Sequence, residues 1–400
     1  MSKIITDENR IKELLERGVD EVIVKSHLEK RLKRGDKLRV KFGIDPTAPD
    51  LHLGHSVPLR KLKQFQELGH KVILLIGDFT ARIGDPSGRT MVRKLLTVEQ
   101  VKKHMKDYIG QAGKILNIKE TEIRYNSEWL GKRKADFLFE LSSKFTVARV
   151  MERDDFRKRL KEDVDINMLE IFYPLMQGYD SVMLKADVEI GGTDQKFNLL
   201  MGRKVQKRYN QPQQDIITLP LLEGTDGILK MSKTYNNWIG LSEKSEKMYG
   251  KIMSIPDALL WKYFKLLTDF PSEEIEEMRD KTRRKEFNPR DIKAKLAREI
   301  VGIYHGKTAA LNAEKEFDRV FKEHKVPEKV KGYKLEQKNL NILDLIIKTK
   351  LAPSKSEAKR LVEQRGVKID EKTIDDWKKE IIVEKGMILR VGKRKFIKLI

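Results

Sequence analysis

The stretch from Val40 to His55 constrains this chain more than any other. Leu38, Val40, Phe42 and Ile44 alternate with Lys37, Arg39, Lys41 and Gly43, the two-residue period of a half-buried strand. Asp45-Pro46-Thr47 and Pro49-Asp50 then break the strand into a turn. From Leu53 to Leu68 the pattern becomes helical, with Leu59, Leu62, Phe65 and Leu68 on one stripe. A strand that feeds a helix across a short polar turn aims backbone N–H groups, and the positive end of the helix dipole, into the crevice beside it. His52 and His55, in the first turn, fit an anionic guest there, with a polyphosphate the leading choice. A histidine pair three residues apart can also hold a metal. The chain has no cysteine, the other five histidines are scattered, and no Glu lies between these two. No metal site is therefore expected.

Lys71 to Gly77 reads as a fully buried strand, so strand, helix and strand form a βαβ unit on a parallel sheet. Ligands of such sheets sit beyond the carboxyl ends of the strands, where Asp45 and Asp78–Asp85 fall. A helical pattern precedes the unit from Ile4 to Lys33, and a basic, glycine-bearing loop follows from Arg82 to Thr97. Mixed helical segments run from Val98 to Leu184. A second strand, glycine turn and helix follow at Lys185–Ile190, Gly191-Gly192-Thr193-Asp194-Gln195 and Lys196 onward, and Ile216–Leu222 is a last short strand. Beyond Ser242 the pattern is helical, with Asp291 a candidate cap for a helix carrying Ile292, Leu296, Ile300 and Ile303. Ala309, Ala313, Phe317 and Val320 mark the next helix. Val326–Lys338, with Pro327 and Gly332, reads as a linker.

Charge narrows the partners. Lys and Arg number 83 against 61 Asp and Glu, a net charge of +22. That excess favours polyanions, nucleic acid ahead of membrane. Residues 341–400 alone carry 16 basic and 9 acidic side chains. The absence of cysteine excludes disulfides and thiol catalysis. No apolar run is long enough for a signal peptide or a membrane span, so a soluble, cytoplasmic chain is expected.

Far downstream, Lys230-Met231-Ser232-Lys233-Thr234 offers two ammonium groups three residues apart and two hydroxyls on a loop after Gly224 and Gly227. Compact charges of that sort neutralise a leaving pyrophosphate. Between the two motifs, Tyr173, Gln177 and Asp180 stand at i, i+4 and i+7, on one helical face. Taken alone, Tyr173 and Tyr179 read more readily as packed core residues, with Asp180 a polar helix end. Gly84-Asp85-Pro86-Ser87-Gly88-Arg89-Thr90 has a superficial likeness to a phosphate-binding loop. It has one residue too few between its glycines and arginine where lysine belongs.

His52-Leu53-Gly54-His55 resembles the HIGH signature of class I aminoacyl-tRNA synthetases, and Lys230–Thr234 resembles their KMSKS loop. Phe42-Gly43-Ile44-Asp45-Pro46-Thr47-Ala48 is similar to the tyrosyl-tRNA synthetase version. The resemblance spans essentially the whole chain. It implies an α/β fold: a Rossmann-like parallel-sheet catalytic domain (1–228), then the KMSKS loop with an α-helical anticodon-binding domain (229–325). A linker (326–338) and a small α+β, S4-like RNA-binding domain (339–400) follow. It implies activation of tyrosine with ATP and Mg²⁺, transfer to tRNA(Tyr), no membrane, and a homodimer. The residues matching Asp85, Tyr173 and Gln177 hold the substrate ammonium, and Gln195 is assigned with them to tyrosine binding. That matching Asp180 accepts the phenolic proton. ATP falls to Gly43, Asp45, His52, Gly54, His55, Gly192, Asp194, Met231, Ser232 and Lys233, with Asp194 on the ribose. Thr47, His52, His55, Lys230 and Lys233 carry the catalysis by positioning and charge. Lys355, Lys359 and Arg360, on a helix capped by Ser354 or Ser356, meet RNA phosphates. In the family's best-studied branch a tyrosine contacts the phenol at the position of Lys41. That departure leaves the second phenol contact open. A tryptophanyl relative and a synthetase-derived RNA-binding or splicing factor are the alternatives.

Overall fold

A computed structural model describes residues 3–87, 95–321, 330, 332–335, 337, 339–392 and 395–400. Gly88, Arg89 and Thr90, the end of the string compared with a phosphate-binding loop, lie outside the described residues, as does most of the linker reading over 326–338. The chain divides into two compact units, Met1–Lys307 and Thr308–Ile400.

The first unit is organised on a six-stranded sheet: β1 (Glu21–Ile23), β2 (Arg39–Ile44), β3 (Lys71–Ile76), β4 (Glu122–Tyr125), β5 (Val188–Gly192) and β6 (Asp215–Leu219). Their order is β1-β6-β5-β2-β3-β4, all parallel except the β1–β6 pair. The chain reverses its direction of travel between β2 and β5, the switch point at which a crevice opens above a parallel sheet. Asp45 follows β2, Gly77 follows β3 and Thr193-Asp194-Gln195 follows β5, so three strand ends face that crevice.

The helix expected after β2 forms at Leu53–Glu67 and buries Leu59, Leu62 and Phe65 completely. Each such side chain removed from water contributes about 1.5–3 kcal/mol, which anchors the histidine-bearing first turn to the sheet. The helix Met168–Leu184 is capped by Asn167, whose side chain accepts from Leu169 N at 2.9 Å while Glu170 returns a bond to Asn167 N. Lys185, at φ +46°, ends it in the left-handed conformation.

Three local expectations are corrected. The helical reading of Ile4–Lys33 splits into helices Glu8–Glu16 and Lys25–Arg34 around β1. Gly18, at φ +61°, turns the chain, and Glu21–Ile23 then pair with Ile216–Thr218. A strand of three residues is too short to show its own period. β4 was likewise hidden among helical segments. The cap of helix Pro289–His305 is Asn288, which accepts from Arg290 N at 2.9 Å; Asp291 sits inside the first turn.

In the second unit, helices Ile342–Lys348 and Lys355–Glu363 pack on short strands, among them Val367–Ile369, Ile388–Val391 and Lys395–Leu399. Leu345, Ile346, Ala358, Val362, Val367 and Leu389 form its fully buried centre. Ser354 is the cap of the second helix, accepting from Glu357 N at 3.3 Å.

Candidate active site

A cavity of about 710 Å³ occupies the crevice of the first unit. Every tyrosine-, ATP- and catalysis-assigned residue named above lines it, from Gly43 and Asp45 to Ser232 and Lys233. Residues almost two hundred positions apart are brought together by backbone pairing. Leu53 N donates to Ile239 O and Leu241 N to Leu51 O, both at 2.9 Å. The histidine turn is thereby stitched to the chain that follows the lysine loop. From the other side, Gln111 Oε1 accepts from Leu51 N at 2.7 Å and His104 Nδ1 lies 3.1 Å from Pro46 O.

The lysine loop is held on its own side chain. Buried Asn237 accepts from Ser232 N at 2.8 Å and donates to Asp226 Oδ2 at 2.9 Å, while Met231 N donates to Leu222 O at 2.7 Å. Lys230 Nζ lies 2.7 Å from Asp194 Oδ2, and Lys233 Nζ lies 3.2 Å from Asp50 Oδ2 and 4.7 Å from the centre of the Trp238 ring. Both ammonium groups are thus matched to carboxylates that a polyphosphate can displace.

The His52 and His55 rings lie with centres 3.8 Å apart, tilted by 39° to each other, and His55 Nδ1 accepts from His52 N at 3.1 Å. Burial lowers His52 well below its ordinary value, and burial with the Lys233 charge lowers His55 to about 4. Near neutral pH both rings are uncharged, so what they offer the cavity is an N–H group and no charge, and full positive charge lies on the lysines. Among the described residues, buried His52 Nδ1 has no hydrogen-bond partner.

The opposite end of the cavity is acidic. Asp45 accepts from Thr80 Oγ1 at 2.8 Å and from the Tyr173 hydroxyl at 3.0 Å. A Cβ at Gly77 would stand 2.0 Å from Asp45 Oδ1, so this close approach requires glycine. Asp85 accepts from Gln195 Nε2 at 2.5 Å, Ser87 N at 2.9 Å and Asn198 Nδ2 at 3.3 Å. Asp180 is buried and accepts from Trp129 Nε1 at 2.8 Å and Asn126 Nδ2 at 3.2 Å. Gln177 Nε2 reaches Glu189 at 3.3 Å, and its buried Oε1 has no partner among the described residues. Sequence reasoning missed Thr80, Asn126, Trp129, Glu189 and Asn198. Only Asn126-Ser127 preceding a short helix gave any local signal.

Burial, with the neighbouring Asp85 charge, raises Asp45 to about 7; burial raises Asp180 to about 7 against the pull of Lys41. A carboxyl whose native value exceeds its unfolded value favours folding when protonated, and that contribution fades as pH rises through 7. A guest bearing an ammonium and a hydroxyl favours the ionised forms, so its binding near pH 7 is expected to release protons. Titration calorimetry in buffers of different ionisation heat reads this directly; binding without proton exchange would contradict it.

In the second unit Lys355 and Arg360 are exposed and Lys359 is half-buried, yet each faces a carboxylate: Asp344 at 2.6 Å, Glu363 at 3.8 Å and Glu357 at 2.6 Å. Lys359 also lies over the Trp377 ring at 4.3 Å, an aromatic partner that the sequence reading did not single out.

A parallel-sheet crevice with an acidic pocket at one end and neutral histidines opposite a lysine loop at the other has the architecture of a nucleotide-dependent, carboxylate-activating enzyme. The chain belongs to the tRNA synthetases class I (W and Y), whose family model matches residues 33–322. Residues 321–399 match the tyrosine–tRNA ligase SYY-like C-terminal domain. Among curated relatives, the tyrosine–tRNA ligase of Thermotoga maritima is 52% identical over 99% of this chain and 98% of its own length. That of Moorella thermoacetica is 48% identical over 96% and 94%. Among solved structures, a C-terminally truncated Aspergillus nidulans mitochondrial tyrosyl-tRNA synthetase shares the fold, with a TM-score of 0.67, 24% identity and coverage of 79% of this chain and 95% of that one.

Proposed function

We propose that the chain activates L-tyrosine with ATP and transfers it to the terminal adenosine of tRNA(Tyr). The observation that carries the reading is Asp180, a buried carboxylate in the cavity wall pinned by Trp129 and Asn126. A buried acceptor of this kind selects a ligand with a hydroxyl or N–H donor. An indole also supplies one, so Asp180 alone does not separate tyrosine from tryptophan; the full-length relatives, tyrosine–tRNA ligases at about half identity, favour tyrosine.

Tyr173, Gln177 and Asp85 hold the ammonium, and Asp45 fixes the Tyr173 hydroxyl. The tyrosine carboxylate, already a nucleophile, attacks the α-phosphorus of ATP, and the bond to the bridging oxygen of pyrophosphate breaks. His52 and His55 donate N–H groups to the phosphates, Thr47 helps seat them, and Lys230 and Lys233 leave Asp194 and Asp50 to neutralise the departing pyrophosphate. Asp194 then turns to the ribose. A hydroxyl of the tRNA adenosine next attacks the adenylate carbonyl and AMP leaves. Mg²⁺ is assigned to the ATP phosphates.

Residues 229–325 serve as the lysine loop and anticodon-binding domain, and 339–400 as an S4-like RNA-binding domain. Replacing Lys355, Lys359 and Arg360 together by alanine is expected to spare adenylate formation and weaken tRNA charging. The salt slope of tRNA binding should fall by about two to three. Unchanged charging and slope would remove these residues from the RNA interface.

The proposed homodimer is supported by large apolar side chains left in water on one stretch of chain: Phe139 (71% exposed), Val147 (62%), Leu160 (57%) and Met168 (65%). Among the described residues no helix is long and apolar enough to cross a membrane; a cytoplasmic location is part of this proposal. Pyrophosphate exchange with each of the twenty amino acids tests the whole reading. Exchange with tyrosine alone is expected. Exchange with tryptophan instead, or none, would replace it with the tryptophanyl or the RNA-accessory alternative.

A further inference from the structure

Arg153 lies outside every motif that carries the site, at the residue that opens the short helix Asp154–Lys161. Its side chain is buried, with the guanidinium 5.0 Å from the centre of the Phe156 ring and 5.1 Å from that of Phe197. Asp155 matches its charge in a two-point contact, Nε to Oδ1 at 2.9 Å and Nη2 to Oδ2 at 2.8 Å. A buried ion pair of this kind adds little to stability over apolar side chains of the same volume. Two further bonds give it another use. Nη1 donates to Asn198 Oδ1 at 2.5 Å and Nη2 to Ser87 Oγ at 3.1 Å, and both acceptors belong to the surroundings of Asp85.

Asn198 is fully buried in the first turn of the helix Lys196–Arg208. Its Nδ2 donates to Gln195 Oε1 at 3.1 Å, to Asp85 Oδ1 at 3.3 Å and to Ser87 Oγ at 3.4 Å. Gln195, with its oxygen engaged in this way, turns Nε2 to Asp85 Oδ2 at 2.5 Å. A side-chain amide has nearly the same shape either way round, so its hydrogen bonds choose its orientation. Here the choice is made by a group that can only donate. The Arg153 guanidinium takes the Asn198 oxygen, which sends the Asn198 amide nitrogen to Gln195 and Asp85, and that in turn sends the Gln195 nitrogen to Asp85. Were Asn198 reversed, its oxygen would face Gln195 Oε1 and Asp85 Oδ1, acceptors with no hydrogen between them.

We infer that Arg153 is a positioning residue for tyrosine binding: by holding Asn198, and through it Gln195, in one amide orientation, it keeps Asp85 aimed for the substrate ammonium. The inference rests on the tyrosine reading of the cavity and adds to it a residue that does not touch the substrate. A carboxylate offers about four acceptor positions. On Asp85, Ser87 N and Asn198 Nδ2 occupy Oδ1 and Gln195 Nε2 occupies half of Oδ2, so one position on Oδ2 is left for the ammonium. Without the guanidinium, nothing opposes the reversed Asn198, and Asp85 then meets an amide oxygen in place of a donor. The carboxylate is still present in that state, but it is no longer aimed.

The test compares tyrosine with 3-(4-hydroxyphenyl)propanoate, which keeps the phenol and the carboxylate but lacks the ammonium. Binding of both is measured by titration calorimetry on the wild-type chain, Arg153→Met and Arg153→Lys, beside pyrophosphate exchange with tyrosine. Arg153→Met is expected to weaken tyrosine by about tenfold, the lower end for a hydrogen bond to a charged group, and the propanoate by less than about twofold. The KM for tyrosine should rise by the same factor while the KM for ATP stays unchanged. Arg153→Lys still only donates, so it is expected to restore tyrosine affinity to within about threefold of the wild type. Arg153→Gln, whose amide accepts as well as donates, takes the place of Arg153→Met if that variant does not fold, with the same expected selective loss. Equal weakening of both ligands would make Arg153 a purely structural residue, and unaltered tyrosine affinity would make it dispensable; either result overturns the proposal and leaves the tyrosine reading standing. No exchange with tyrosine by the wild type overturns both.

Discussion

Replacing Lys233 by alanine is expected to slow pyrophosphate release by roughly 10²–10³-fold, the loss typical of one preorganised group facing developing charge, while tyrosine affinity stays nearly unchanged. The reason lies in how charge is distributed around the crevice. His52 and His55 are uncharged near neutral pH because burial depresses both. Full positive charge on the lysine loop is therefore concentrated in Lys230 and Lys233, each resting against one carboxylate. Without the Lys233 ammonium, Asp50 is left facing the triphosphate, so repulsion replaces attraction at the moment the bond breaks. His52→Ala should act in the same direction, by removing a neutral donor. Stopped-flow measurement of pyrophosphate release, beside equilibrium tyrosine binding, separates the two effects. A variant that binds tyrosine poorly yet releases pyrophosphate at the normal rate would take Lys233 out of the transition state.

The second large effect is expected at Asp180. A site built to hydrogen-bond a hydroxyl rejects the analogue lacking it by roughly 10⁴–10⁵-fold, a figure measured on enzymes of this very family and adopted here as such. Asp180→Ala should lower kcat/KM for tyrosine by at least about 10²-fold, because the phenolic proton loses its acceptor and Trp129 Nε1 loses the carboxylate it donates to. Phenylalanine should lose far less, so the ratio between the two substrates collapses. Trp129→Phe offers a milder version: the carboxylate stays but loses the 2.8 Å anchor that aims it. Substrate competition assays give the ratio directly. An Asp180→Ala chain that still discriminates against phenylalanine would place the phenol elsewhere in the cavity.

How much of this could be read beforehand depends on how local each signal was. The strand, turn and helix of Val40–Glu67 were legible because their two periods meet within one short stretch. Tyr173, Gln177 and Asp180 were legible as a set because helical spacing alone puts them on one face. The lysine loop was legible as chemistry, though its closeness to the histidines was not. That closeness depends on Leu51 and Leu53 pairing with Ile239 and Leu241, a contact that no pattern within either segment reveals. For the same reason the anchors of Asp180 went unnoticed: Asn126 and Trp129 lie beyond the short strand β4, on a different part of the chain from the helix they serve. Lys41 was visible as a departure from the family pattern, but its partner was not, since Glu189 becomes its neighbour only through strand register. β1 and β4 were too short to carry an alternation, and their pairing with longer strands makes them strands at all.

Charge was legible in sum and misleading in detail. The net charge of +22 pointed to a polyanionic partner. The particular residues Lys355, Lys359 and Arg360 each rest against an acidic neighbour, which a composition count cannot register. Such exposed pairs contribute little to stability, about 0–1 kcal/mol each, so an RNA phosphate can exchange for the carboxylate at small cost.

The central claim is that neutral imidazoles from the first turn of one helix and ammonium groups from a distant loop serve a single triphosphate. It is tested most directly by a crystal structure with tyrosinol and a non-hydrolysable ATP analogue. The account predicts phosphate oxygens within hydrogen-bonding distance of His52 or His55 and of Lys230 or Lys233 in the same complex, with the phenol at Asp180. A triphosphate that touches only one of the two groups, or a phenol outside the Asp180 pocket, would contradict it.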